Sequence, residues 1–83
     1  MTTTNDNRKK VHICIGYTNM YYIKKVIEHV RMFCSSNDYK VVENADDADL
    51  HIDVYFRLDS NRYQITYNIN GLSKETVTKS YII

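Results

Sequence analysis

Proline and tryptophan are absent, and glycine and cysteine occur only twice each in 83 residues. Without proline there is no rigid linker to divide the chain into modules. With so little glycine, the turns must be made mostly by Asn, Asp and Ser. One small domain follows, with a single core and a narrow margin of stability. Apolar runs long enough to cross a membrane as a helix are missing as well. The start, Met1–Lys10, is polar and has no apolar stretch after Arg8-Lys9-Lys10, so the chain reads as cytoplasmic. Cys14 and Cys34 are too few for a disulfide framework and fall in different elements; we expect reduced thiols that act as small buried apolar groups. Charge of one sign is lacking too. The formal net charge is +1, which favours neither nucleic acid nor a basic partner.

What is present is an ordinary globular mixture, 43% hydrophobic and 25% charged. Its aromatic set is skewed, with eight Tyr against two Phe. Abundant Tyr, Ile, Asn and Lys with scarce Ala, Gly, Arg and Pro match an AT-rich coding sequence, as in a low-GC genome or its phages and mobile elements.

The clearest element is a helix over Asn19–Cys34. Met20, Ile23, Val26, Ile27, Val30, Phe33 and Cys34 recur at three- and four-residue spacing and share one face. Lys24, Lys25, Glu28, His29 and Arg31 fall on the other side, and Thr18 or Asn19 can cap the start. Val11–Gly16 ahead of it alternates as a strand and feeds the helix through Gly16-Tyr17-Thr18, the opening of a βαβ-type unit. After the helix come a short strand at Tyr39–Glu43 and a polar break at Asn44–Ala48 with the length of one helical turn. Leu50, Ile52, Val54 and Phe56 then alternate with His51, Asp53, Tyr55 and Arg57. Tyr63, Ile65, Tyr67 and Ile69 alternate with Arg62, Gln64, Thr66 and Asn68, so these two runs form a hairpin about Asp59-Ser60-Asn61.

Asn70-Gly71 signals a turn through positive φ at the glycine, and a loop through Lys74-Glu75 leads to a last strand, Thr76–Ile83. Lys79 on that strand suits an edge. Residues 1–10 form a flexible tail and residues 11–83 a single α+β domain. The predicted architecture is a two-layer sandwich, one helix on a mostly antiparallel sheet of four to five strands in the order β-α-β-β-β-β. One helix cannot shield so wide a sheet, which favours short, twisted outer strands or a homodimer.

No segment carries a strong chemical motif. Glu43, Asp46, Asp47 and Asp49 lack the glycine and late glutamate of a calcium loop. The cysteines and histidines lack zinc-ligand spacing, so neither metal nor cofactor is expected. Gly16-Tyr17-Thr18-Asn19 matches no phosphate-binding fingerprint and reads as a turn plus a cap. Three functional readings follow, in descending order. The first is a non-enzymatic protein-binding module, an inhibitor or accessory factor, whose contact residues are Tyr17, Tyr21, Tyr22 and Met32. These types offer large contact areas with a polar or pliable end. The structural alternative is that the tyrosines close the edge of the core. The second reading is single-stranded nucleic-acid binding on the polar sheet face through Tyr55, Arg57 and Arg62. The third is a small-ligand or hydrolase-like site at a dimer interface around His12, His51 and Asp53, where an imidazole and a carboxylate lie close enough to act as base and orienter.

The stretch Tyr39-Lys40-Val41-Val42-Glu43 followed by Ala48-Asp49-Leu50-His51-Ile52-Asp53-Val54 resembles small α/β modules of bacterial envelope lipoproteins, in which it precedes a β-hairpin. The similarity covers a minor part of the chain. Those proteins carry a signal and a lipid-attachment cysteine near the start, which this sequence does not show, and no family is assigned on it.

Overall fold

The structure is a computed structural model and describes residues 7–83. Its elements are β1 (Lys9–Ile15), α1 (Ile23–Ser36), β2 (Tyr39–Val41), a 3-10 turn (Ala45–Asp47), β3 (Leu50–Asp59), β4 (Arg62–Asn70) and β5 (Lys74–Ile82). This is the expected α+β order, with one helix on an open five-stranded sheet ordered β2-β1-β3-β4-β5. Of the expected tail, Lys9 and Lys10 belong to β1, Asn7 and Arg8 lead into it, and residues 1–6 lie outside the described residues.

The sheet is mixed. β1, α1 and β2 make a βαβ unit, so β2 runs parallel to β1, and β3 runs parallel to β1 on its other side. The β3–β4 and β4–β5 hairpins supply the antiparallel part, which is the larger one: each ladder pairs nine residues, against five and three in the parallel ladders. Two parallel neighbours of β1 joined by a short connector would ordinarily need a long crossover. Here the two strands use different stretches of β1. Lys9, Lys10 and Val11 pair with β2, while Val11 to Ile15 pair with β3. The chain leaves β2 through Val42 N–H donating to Val11 O at 2.9 Å and returns through Asp49 N–H donating to Lys10 O at 2.8 Å. A 3-10 turn spans the gap, with Asn44 Oδ1 accepting from Asp46 N–H at 3.0 Å.

The helix begins later than its apolar spacing predicts and ends two residues further on, at Ser36. Met20 precedes the helix and is 88% exposed instead of joining the core. The face that does bury consists of Val26, Val30, Phe33 and Cys34. With no glycine to close it, α1 ends on Asp38 at φ 57°, while the Asn37 amide donates to Phe33 O at 2.8 Å. The helix lies on Val11, Ile52, Val54, Ile65, Tyr67 and Ile69, all buried. Rings dominate its contacts: Phe33 stacks on Tyr67 at 3.9 Å, and Tyr22 stacks on Phe56 at 5.2 Å.

Gly71 departs from the turn chemistry expected of it, since no glycine has positive φ among the described residues. A Cβ on Gly71 would meet the tip of the Leu50 side chain, which would have to shift to make room. The connection is correspondingly short, Gly71-Leu72-Ser73, and the expected loop through Lys74-Glu75 is already strand.

The helix leaves β5 largely uncovered. His29 reaches that strand, stacking on Tyr81 at 4.0 Å.

Candidate functional site

Each end of the sandwich, and its helix-free face, presents a distinct surface. The first is the connection from β1 to α1. Gly16 N–H donates to Val54 O at 2.9 Å, anchoring the segment to β3, and Thr18 Oγ1 donates to Gly16 O at 3.2 Å. Asn19 then organises a turn ahead of the helix: its Oδ1 accepts from Tyr21 N–H at 2.9 Å and its carbonyl from Tyr22 N–H at 2.8 Å. The segment is thus held at its two ends, by Gly16 on β3 and by the Asn19 turn, while its large side chains project outward. Tyr17, Met20 and Tyr21 are 93%, 88% and 88% exposed.

Of the sequence-predicted contact residues, Tyr17 and Tyr21 belong to this surface. Tyr22 does not. It is half-buried, with its ring on Phe56 and 5.8 Å from Tyr63, and closes the core edge. Met32 is exposed but ten residues beyond Tyr22 on the helix, about 15 Å along its axis, and belongs to no common patch. Met20 is the residue that helical spacing misplaces. The signal that could have found it is Asn19, whose side chain favours opening a separate turn over continuing a helix.

The second surface is the helix-free face of the sheet, which is mostly polar, with Tyr55 and Ile82 as its large apolar side chains. The register sets His12 beside His51, with rings 6.0 Å apart, and then Cys14 beside Asp53 and Asn68. Tyr55 comes next, half-exposed, beside Gly16, where an added Cβ would meet its ring at 3.4 Å. Arg57 lies opposite Gln64 and Arg62 opposite Asp59. Threonines complete the face: Thr66 and Thr78 hydroxyls lie 3.1 Å apart, and Thr76 Oγ1 donates to Asn68 Oδ1 at 3.0 Å. The structure therefore brings Tyr55, Arg57 and Arg62 onto one face, and His12, His51 and Asp53 onto the same face. Both sets lie on an open surface without walls. Among the described residues no group of three His, Cys, Asp or Glu side chains could hold a metal ion. Cys14 is exposed on this face, not buried as expected, and Cys34 lies under the helix on the other, so the two cannot pair within one chain.

At the far end of the sheet from the β1–α1 connection, where α1 stops, lies a cleft of about 590 Å3. Tyr39, Leu50, Ile69 and Leu72 give it apolar walls; Lys9, Asp49 and Glu75 stand at its rim. The acidic connector ends here, and Asp49 Oδ2 accepts from Lys10 N–H at 3.0 Å, so that carboxylate is occupied in holding the crossover.

The helical position of His29 predicts a solvent-facing side chain. It is instead half-buried among rings, and its Nε2 lies 2.9 Å from Tyr63 Oη. Burial lowers its pKa below the ordinary 6.5, with Glu28 opposing and Lys25 adding to the shift. Tyr67 Oη has no hydrogen-bond partner among the described residues, and burial pushes its pKa well above the ordinary tyrosine range.

No protein-family model matches the chain, and no curated protein matches it either. No helix among the described residues is long and apolar enough to cross a membrane.

Proposed function

We propose that this chain is a non-enzymatic protein-binding module whose contact surface is the β1–α1 connection. The observation that carries the proposal is the exposure of Tyr17, Met20 and Tyr21 on a connection anchored at Gly16 and by the Asn19 turn. Exposed aromatic and thioether side chains cost free energy in water and return it when a partner covers them. Anchoring at both ends limits the entropy the connection loses on binding. An inhibitor or accessory factor of a phage or mobile element is the form of such a module that the AT-rich composition favours.

Paired capture experiments test the site. Tyr17→Ala with Tyr21→Ala should retain the fold and lose the bound protein that the parent chain retains from a host extract. Undiminished capture would contradict the assignment. Tyr22→Ala is the wrong probe, because it removes a ring from the core edge and should cost about 3 kcal/mol of stability.

A second reading, single-stranded nucleic-acid binding, is favoured by the shared face of Tyr55, Arg57 and Arg62. It ranks lower because Asp53 and Asp59 lie on that face too, with Asp59 directly opposite Arg62, so the positive field is offset where phosphate would sit. Its signature is binding that weakens steeply with salt and disappears with Arg57→Ala and Arg62→Ala together. A ligand or hydrolase-like site at His12, His51 and Asp53 ranks third, since it needs a second wall over an open face.

A further inference from the structure

β5 is a nine-residue edge strand with no neighbour beyond it among the described residues. Its bonding parity is fixed by the chain end, where Ile83 N–H donates to Asn61 O at 2.9 Å. In an antiparallel strand the N–H and C=O of one residue point the same way and alternate along the chain. The odd-numbered residues of β5 therefore bond β4. Lys74, Thr76, Thr78, Ser80 and Ile82 turn their backbone groups outward. On the helix side the same strand carries Glu75, Val77 and Lys79, which sit opposite the buried Ile69, Tyr67 and Ile65.

We propose that β5 pairs antiparallel with β5 of a second copy about a two-fold axis at Val77, joining two sheets into one. In this register the outward-facing groups of Thr76 meet those of Thr78 from the other copy, and Lys74 meets Ser80. Glu75 stands opposite Lys79 of the other copy, and symmetry repeats that pair. Val77 faces its own counterpart. These side chains occupy the non-hydrogen-bonded sites, where Cα atoms lie about 4.5 Å apart and cross-strand pairs interact most closely. At the strand's end, exposed Ile82 of each copy comes alongside exposed Leu72 of the other.

The adjacent registers that keep outward groups facing each other set Glu75 opposite Tyr81 or Val77, and both charges lose their match. A lysine on a free edge discourages strand addition. In the Val77-centred register Lys79 finds a carboxylate, so one sequence rejects other strands and accepts its own copy. A closed two-fold pairing also leaves no second β5 edge exposed for a filament to grow from.

Light scattering on the full chain over a dilution series tests the proposal, with circular dichroism confirming the fold of each variant. The parent chain should have the mass of a dimer. Lys79→Glu, which sets glutamates opposite each other, should give a monomer. Combining Glu75→Lys with Lys79→Glu should restore the dimer. Oxidation of Val77→Cys in a Cys14→Ser background should give a disulfide-linked dimer, since Cα atoms at that site fall within disulfide range; Thr78→Cys in the same background should not. A monomeric parent chain, a dimer indifferent to Lys79→Glu, a charge swap that fails to restore it, or no cross-link in the Val77→Cys variant would each overturn this register.

Discussion

Tyr67 is buried at the centre of the core with its ring stacked on Phe33, yet its hydroxyl has no partner among the described residues. The ring contributes apolar area and stacking, while the hydroxyl is desolvated without compensation. Tyr67→Phe keeps the stack and removes the orphaned group. It should raise stability by about 1 kcal/mol, a melting-temperature gain of about 4–8 °C for a domain of this size; a lower melting temperature would show that the hydroxyl has a partner in solution. His29 gives the core a pH dependence. Its folded pKa lies below 6.5, so between those values the unfolded chain binds a proton that the folded chain does not. Stability is therefore full above the ordinary histidine value and is lost as pH falls through it toward the lowered folded value. His29→Gln retains an acceptor for Tyr63 and cannot titrate. Its melting temperature should fall less steeply from neutral to mildly acidic pH than that of the parent chain, and parallel profiles would contradict the assignment.

Among the elements, helix α1 shows how a chain nearly without glycine ends a helix. Asp38 takes a left-handed conformation that a β-carbon disfavours by about 1–2 kcal/mol. Asp38→Gly should stabilise the domain, by about 1 kcal/mol once the greater freedom of glycine in the unfolded chain is deducted. Unchanged or lower stability by chemical denaturation would show that the Asp side chain compensates locally.

The strands are legible where period-two alternation is strict: every apolar residue of the alternating run in β4 is buried, and β3 places Ile52 and Val54 in the core. Legibility fails where one residue type serves two purposes. Met20 fits the helical spacing yet lies in a turn set by Asn19, because periodicity cannot tell an apolar residue just outside a helix from one inside it. Gly71 turns without positive φ and lies against the Leu50 side chain of a neighbouring strand, a contact that local turn rules ignore. His29 takes its place from Tyr63 and Tyr81 on two other strands, contacts that no local pattern contains.

For the molecule as a whole, topology rather than composition separates the surfaces. Parallel pairing of β1 with both β2 and β3 sends the β1–α1 connection to one end of the sheet and the acidic crossover to the other. The helix covers one face and leaves a polar one, whose threonines, asparagines and charged residues have no need of cover; on the helix side β5 carries Glu75 and Lys79, which stay exposed. Joining two copies at β5 would present two β1–α1 surfaces, and a partner with repeated sites would then be held more tightly than by either surface alone.

If the β1–α1 connection holds the partner, and the polar sheet face does not, the two surfaces must separate in a single capture experiment. The direct measurement compares capture by three immobilised forms: the parent chain, the Tyr17→Ala/Tyr21→Ala form and the Arg57→Ala/Arg62→Ala form, with nuclease-treated and untreated extracts. The expected result is a protein retained by the parent and by the arginine form, lost with the tyrosine form, and indifferent to nuclease. Retention that survives loss of the tyrosines but disappears with the arginines or with nuclease would contradict it and transfer the function to the sheet face.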